Sequence, residues 1–286
     1  IAKILYHWRM HNLSTAQNPE SKMYCYEAGK KAIEAHYQRT GVKATVEMMP
    51  KPYYGLYHTI YSTQDNPLVS ILIPNMNHKN VLKTCVDSLY QLNNYKNFEI
   101  IIIENNSTEQ EIFDYYDQLK KEHDNIKVVK WEKEFNYSAI NNFGAKYADG
   151  EYLLLLNNDT EMMKEDALSE MVGCCLRSEV GVVGAKLLYA DNTVQHAGVV
   201  IGFSGYAGHV FNGIDQNEYG FMRRAIINGN YSSVTGACLM TKKSIFEEVG
   251  GLDEKFKVAC NDVDYCLKVR EKGYLVVYNA FSLWHH

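Results

Sequence analysis

Glu151-Tyr-Leu-Leu-Leu-Leu-Asn-Asn-Asp-Thr160 sets five apolar residues, Tyr152 to Leu156, directly against Asn157, Asn158 and Asp159. A continuous apolar run of this length, entered through Asp149-Gly150, is expected of a strand buried on both faces. Its carboxyl end then delivers a carboxylate and two amides to the edge of a parallel sheet, where open α/β sheets bind ligands. One carboxylate flanked by amides suits a hard divalent cation that also holds a diphosphate, because such an ion needs few protein ligands. The same three residues are ordinary turn formers, so the stretch carries chemistry only if other strand ends join it.

Upstream, strands are predicted at Val69–Pro74, Phe98–Ile103 and Ile126–Trp131. Helices are predicted between them. Val81, Leu82, Cys85, Leu89 and Leu92 give one a single apolar face. A second runs from a capped start at Ser107 to about Lys121, and a third spans Tyr137–Tyr147. Four such repeats predict a parallel, doubly wound sheet. Downstream, Glu165–Leu176 reads as a helix and Val180–Leu188 as a Gly-punctuated strand. Gln195–Val210 is Gly-rich and holds His196 and His209, and Asn212–Phe221 reads as a mobile surface loop. Ser233–Met240 reads as a strand with Gly236 inside it, a sign of close backbone approach. A short helix at Lys243–Val249 ends at Gly250-Gly251. A helix at Asn261–Lys272 uses Val263, Cys266, Leu267 and Val269 as its apolar positions, and Tyr274–Tyr278 is the last predicted strand.

Residues 1–66 differ in character. A short apolar strand is expected at Ile1–Met10, a loop at Ser14–Ser21 and a helix over Tyr24–Thr40 stopped by Gly41. Strands are expected at Lys43–Met49 and Tyr54–Tyr61, separated by Pro50 and Pro52, and Gln64-Asp-Asn-Pro67 reads as a linker. With few apolar anchors, this segment is a marginal independent domain. It is expected to be a small α+β appendage docked on something else.

The 286 residues are 46% hydrophobic and 22% charged with net charge −5, a globular composition that disfavours nucleic acid as an electrostatic partner. Seven Cys form no CxxC pair, which argues against a zinc knuckle. Cys85, Cys238 and Cys266 fall in apolar-periodic stretches and read as reduced core thiols of a cytosolic protein. No apolar run approaches the roughly 20 residues of a membrane span. With Ile1 in place of a starting Met and Trp284-His285-His286 at the end, the chain is expected to be an excised, C-terminally truncated piece of a longer protein.

The ends of three predicted strands carry Pro74-Asn-Met-Asn77, Glu104-Asn-Asn-Ser107 and Asn157-Asn-Asp159, all on the carboxyl side of one sheet. There is no GxGxxG and no Walker A motif, which disfavours a dinucleotide oxidoreductase and an ATPase. Joined to Asn141-Asn-Phe-Gly144, Gly236-Ala-Cys-Leu-Met240, Gly250-Gly-Leu-Asp253 and Asn261-Asp-Val-Asp264, these motifs give a clear resemblance. From Pro67 to His286 the chain resembles the inverting glycosyltransferases of family two. Their fold, called GT-A, is α/β and Rossmann-like, a mainly parallel sheet flanked by helices.

The resemblance implies a nucleotide-diphosphate sugar donor, a glycan or lipid-linked acceptor and a divalent cation, Mn²⁺ or Mg²⁺. Pro74, Asn75 and Asn77 match the segment that holds base and ribose. Glu104 stands where the family has an Asp facing the base, with Asn106 beside it. Asn142 matches a position near the nucleotide. Asp159 matches the final acid of the family's DxD metal motif, whose first acid is Asn157 here; Asn158 lies between them. Asp262 matches the family's general base, although Asn261 replaces the preceding Glu, and Asp264 is the alternative base. Gly236 and Ala237 match a segment lining the pocket. His285 and His286 match a site where the family places a metal-ligating His, and a structural role stays equally open for both. His196 and His209 are candidate acceptor contacts or satisfied polar residues. The implied location is cytoplasmic, at the inner face of the cell membrane if the full-length protein associates peripherally. Leu5-Tyr-His-Trp8 echoes Leu283-Trp-His-His286, so residues 1–66 are also expected to be the tail of a preceding domain or a linker. The replaced acids keep a second reading open, a non-catalytic sugar-nucleotide or glycan-binding module. A nucleotidyltransferase is disfavoured, because Asn75–Asn80 lacks a Gly-rich basic loop.

Overall fold

The computed structural model describes residues 3–7, 9–11, 14–15 and 17–286. They divide into two compact units, Ile1–Ser62 and Thr63–His286.

In the first unit, a 3-10 turn at Pro19–Lys22 is capped by the Asn18 side chain, which accepts from Glu20 N, where a loop was expected. It leads into helix α1 (Met23–Thr40), closed by Gly41 at φ 72°. Strands β1 (Ala44–Met48) and β2 (Tyr57–Tyr61) form an antiparallel pair. The Tyr57 hydroxyl donates to the Tyr26 carbonyl at 2.7 Å, and the Tyr26 and Tyr54 rings stack. The described part of Ile1–Met10 forms no strand: Ile4, Leu5 and Tyr6 are exposed, and no other strand pairs with them. Ile1, Ala2 and Trp8 lie outside the described residues.

The second unit opens with β3 (Val69–Asn75), α2 (Lys79–Gln91), β4 (Phe98–Glu104), α3 (Gln110–Glu122), β5 (Ile126–Lys130), α4 (Tyr137–Ala145) and β6 (Tyr152–Leu156). It continues through β7 (Glu161–Met162), α5 (Ala167–Cys175), β8 (Val180–Leu188), β9 (Val194–His196), β10 (Val199–Ile201), β11 (Ala207–His209) and β12 (Gly229–Asn230). It closes with β13 (Cys238–Lys242), α6 (Lys243–Glu248), α7 (Asn261–Glu271) and β14 (Leu275–His285).

The main sheet has the order β12-β14-β8-β13-β6-β3-β4-β5, with β7 on β14 and β9 on β8. The pairs β3–β4, β4–β5, β3–β6 and β8–β14 are parallel. Strand β13 is inserted antiparallel between β6 and β8, which the repeat pattern did not predict. Every residue of β4, β6 and β8 is buried, as unbroken apolar runs require when helices cover both faces. Leu72, Ile101, Ile103, Leu153, Leu155 and Ile140 form the core beneath the site.

Several expectations are corrected. The buried face of α2 is set by Leu82, Cys85, Val86 and Leu89. Val81 lies one residue, about 100°, off that face, and both Val81 and Leu92 are exposed. Ser107 does not cap α3: the helix starts at Gln110 with Glu109 at its N-cap, and the Ser107 hydroxyl donates to Glu104 and accepts from Asn77 N. On α7, Leu267 is exposed while Tyr265 joins the buried set. Gly236 sits in the turn before β13 rather than within a strand. The last strand does not stop at Tyr278; it passes an irregularity between Asn279 and Leu283 and continues to His285.

Candidate active site

The carboxyl ends of β3, β4 and β6 meet through a network of amides and one carboxylate. Asn75 is buried; its Nδ2 donates to Tyr116 Oη at 2.7 Å and to Asn77 O at 3.0 Å, and its Oδ1 accepts from Asn158 Nδ2 at 2.6 Å. Glu104 is 3% exposed. Its oxygens accept from Ser107 N, from Ser107 Oγ at 2.7 Å and from Tyr116 Oη at 2.6 Å. Glu104 thus braces its own loop instead of facing outward. Asn77 ties that loop to the start of α3, its Oδ1 accepting from Thr108 N and Glu109 N. Exposed Asn106 donates to Lys133 O, and Pro74 is half-buried. The paired amides hold two turns rigid where any ligand must approach.

The carboxylate of the quoted stretch meets the end of the chain. Asp159 Oδ1 lies 3.2 Å from His286 Nε2, and Asn157 Nδ2 lies 2.9 Å from the same nitrogen. His286 Nδ1 faces Gln195 Oε1 at 2.6 Å, while Gln195 Nε2 donates to His286 O. With its Nδ1–H given to Gln195, the ring's Nε2 accepts from Asn157 Nδ2 when it carries no proton and donates to Asp159 when it does; a cation between Nε2 and the carboxylate would take that proton's place. The hydrogen bond to His286 holds the Asp159 carboxyl below its usual range, against the burial that would raise it. His285 goes elsewhere: strand alternation turns it to Asn192 Oδ1 at 3.0 Å. Among the described residues no three His, Cys, Asp or Glu side chains form a metal-binding group. The donor set is one carboxylate, one imidazole and the Asn157 amide, whose oxygen comes forward on a 180° turn. That set fits a hard or borderline divalent ion sharing a diphosphate.

Asp262 opens α7. Its Oδ2 accepts from Gly236 N at 2.9 Å and its Oδ1 from Val263 N at 2.8 Å. Gly236 is held in turn by the half-buried Tyr137, whose hydroxyl donates to Gly236 O at 2.7 Å. A Cβ on Gly236 would stand 3.1 Å from that hydroxyl and 3.5 Å from Asp262 Cβ. Ala237 O accepts from Asn157 N at 2.9 Å, linking this turn to the end of β6. Asp264 is paired with Lys268 at 2.9 Å on the flank of α7. Buried Asn261 serves its own helix, with Oδ1 accepting from Asp262 N.

Asn142 is a clamp. Its Oδ1 accepts from Leu252 N at 2.9 Å, and its Nδ2 donates to Leu252 O at 2.9 Å and to Glu254 Oε1 at 3.2 Å. Gly251 has φ 69°, and a Cβ there would lie 2.6 Å from Asn142 Oδ1. Asn136 Nδ2 donates to Glu254 O, Ser138 Oγ to Phe256 O and Tyr137 N to Lys257 O. Helix α4 is therefore a template for loop 252–257, which leads to Asp262. The cavity of about 550 Å³ that Asn142 lines also contains Lys146, Lys243 and Glu247. Lys243 follows the end of β13 that pairs with Tyr152, at the amino end of β6, away from Asp159.

A cavity of about 490 Å³ adjoins the site, lined among others by His286, Gln195, His209, Thr235, Phe203 and Tyr189. Burial lowers the pKa of His209, the Asp262 charge raises it and His286 lowers it, so His209 sits in the field of both groups. His196 is structural: its Nδ1 faces Ala185 O at 2.8 Å and its Nε2 accepts from Gly198 N and Thr235 N. Burial pushes its pKa down to about 3. Sequence reasoning singled out neither Tyr116, Tyr137 nor Gln195; their partners lie 12 to 99 positions away, beyond any local pattern.

The model of the family described as "Glycosyl transferase family 2" matches residues 70–250. The chain is 42% identical over 289 residues to the uncharacterized protein y4gI of Sinorhizobium fredii, covering all of this chain and 32% of that protein. It is 39% identical over 293 residues to the O-antigen biosynthesis protein RfbC of Myxococcus xanthus, covering all of this chain and 22% of that protein. It thus spans a third or less of the length of these relatives. Its fold is similar to that of the mannosyltransferase PcManGT from Pyrobaculum calidifontis, solved with GDP-Man and Mn²⁺. There the TM-score is 0.59 at 15% identity, over 92% of this chain and 65% of that one. It is also similar to GalNAc-T7, solved with UDP, GalNAc and Mn²⁺, with a TM-score of 0.67 at 14% identity, over 85% of this chain and 47% of that one.

Proposed function

The chain belongs to glycosyl transferase family 2 and has the α/β, GT-A fold of its structural neighbours, and from that premise we propose that it transfers a sugar from a nucleotide-diphosphate sugar to a glycan or lipid-linked acceptor, with inversion and with a divalent metal, in surface polysaccharide synthesis. The observation that carries this reading is the meeting of Asp159, Asn157 and His286 at the carboxyl edge, one turn from the Gly236–Asp262 hydrogen bond.

In this reading the nucleotide lies on the rigid turns Pro74–Asn77 and Asn105–Ser107. Asn77 and Asn106 are at the surface, while Asn75, Asn158 and Glu104 hold the turns from below. A divalent ion, Mn²⁺ or Mg²⁺, held by Asp159, His286 and the Asn157 amide oxygen would neutralise the leaving diphosphate as a Lewis acid. Asp262 is the general base: it takes the proton of the acceptor hydroxyl as that oxygen attacks the anomeric carbon. The bond to the diphosphate breaks on the opposite face, and its electron pair leaves with the nucleoside diphosphate. The Gly236 and Val263 N–H groups orient the carboxylate for this step. The acceptor enters through the cavity bordered by Phe203, His209 and Thr235. Among the described residues no helix is long and apolar enough to cross a membrane. Action on the cytoplasmic side, with the full-length protein at the inner face of the cell membrane, remains part of the proposal.

Calorimetric titration with UDP, GDP and dTDP, with and without Mn²⁺, tests it. Metal-dependent binding of one of them, lost in Asp159→Ala and kept in Asp262→Asn, is expected. Binding of none by the full-length protein would refute the donor site. Transfer by the full-length protein that survives both substitutions would instead make this domain a non-catalytic sugar-nucleotide or glycan-binding module.

A further inference from the structure

The β10–β11 hairpin borders two cavities. Its Phe203, Ser204 and Ala207 to His209 line the one beside His286; its Val200 lines a smaller one of about 290 Å³, together with Arg224, Asn230, Tyr231, Ser232 and Arg270. Nothing in the proposed transfer reaction uses this second cavity.

Its chemistry is one-sided. Two guanidinium groups share one concavity, and among the described residues no carboxylate lines it and neither arginine has an ion pair. The Arg224 guanidinium lies over the Tyr231 ring, 5.1 Å from its centroid. Tyr231 is 7% exposed, and its buried hydroxyl has no polar neighbour but the Arg224 guanidinium. Arg270 offsets the negative end of the α7 dipole and Arg224 packs on Tyr231, but neither contact neutralises the guanidinium charge. Buried polar groups are nearly always satisfied. Two forked cations, with a phenol, an amide and a hydroxyl beside them, make a donor-rich lining with no carboxylate among the described residues to match it.

We propose that this cavity binds a small oxyanion, a phosphate or carboxylate group, clamped by Arg224 and Arg270, with Tyr231 positioning Arg224. Guanidinium forks match the planar edge of such groups with paired, charge-assisted hydrogen bonds. The location gives the site consequence. Helix α7 carries Asp262 in its first turn and Arg270 in its last. A bound anion therefore ties the helix of the proposed base to the segment that carries Arg224 and to the hairpin bordering the acceptor cavity. The anion is either free in solution or an acidic group on a glycan. The proposal does not depend on sugar transfer.

The test is calorimetric titration of the whole chain with inorganic phosphate, glucuronate and glucose 6-phosphate, against glucose and NaCl of matched ionic strength. Saturable phosphate binding is expected, weakened at least tenfold in Arg224→Gln/Arg270→Gln and severalfold in Tyr231→Phe. Circular dichroism without anion should match the parent and the thermal midpoint should fall by no more than a few degrees, because both arginines are exposed and lose only the Tyr231 and α7-dipole contacts. Metal-dependent nucleoside diphosphate binding should persist in the double variant, separating this site from the donor site. If an acidic sugar binds at least tenfold more tightly than phosphate, the ligand is a glycan group; otherwise it is the free anion. Binding equal to the NaCl control, or unchanged in the double variant, would overturn the proposal.

Discussion

Replacing Asn142 by Ala separates two roles that its sequence position allows. If Asn142 contacts the nucleotide, the change weakens donor binding and leaves the fold intact. The structure assigns it to the clamp on Leu252 instead. Two hydrogen bonds to the Leu252 backbone are lost, each contributing about 1 kcal/mol, and a backbone N–H and C=O of a residue only 2% exposed lose their partners. Together these cost about 2–4 kcal/mol. Loop 252–257 is then held to α4 only through Asn136, Ser138 and Tyr137, so the approach to Asp262 loosens. Urea unfolding should show the loss of stability, and transfer by the full-length protein should fall with the donor KM unchanged. Calorimetry should return the parent affinity for the nucleoside diphosphate. A tenfold weaker affinity with less than about 0.5 kcal/mol of destabilisation would refute the clamp.

Tyr137→Phe removes the donor to Gly236 O; kcat should drop about tenfold with the donor KM unchanged, at a cost in stability of about 1 kcal/mol. His196 stays neutral in the folded chain, with a pKa near 3 against 6.5 in the ordinary state. The unfolded chain therefore takes up a proton that the folded chain refuses. This contribution is fully present above pH 6.5 and falls on acidification by about 1.4 kcal/mol per unit, about 2 kcal/mol at pH 5. In His196→Gln the slope of unfolding free energy between pH 6.5 and 4 should be correspondingly flatter. With a thiol reagent, Cys25 and Cys260 should react in the native protein. The remaining five should react only after unfolding, because burial keeps their thiols protonated.

The apolar runs at Val69–Ile73, Phe98–Ile103, Tyr152–Leu156 and Val180–Leu188 located the central strands from sequence alone, because burial on both faces leaves no alternative composition. The same runs placed Asn75, Glu104 and Asp159 at one sheet edge. Side-chain direction was not legible. Glu104 reads as a free carboxylate at a strand end, yet it turns inward because Ser107 and Tyr116 offer it three donors. Asp262 and Asp264 are both first-turn acids; only Asp262 meets Gly236, since a two-residue step carries Asp264 about 200° around the helix to Lys268.

By itself, then, the sequence determined the alternation of strands and helices, the parallel core and the chemical types gathered at its carboxyl edge, because these follow from periodicities that repeat within a few residues. Only the tertiary structure decided that β13 enters antiparallel between β6 and β8, that Asn142 serves Leu252, and that His286 rather than His285 meets Asp159. Adjacent residues on a strand face opposite sides, so the choice between the two histidines hangs on the register of β14 against β8 and on the irregularity between Asn279 and Leu283. Register is a property of two segments nearly a hundred residues apart, and no local pattern encodes it.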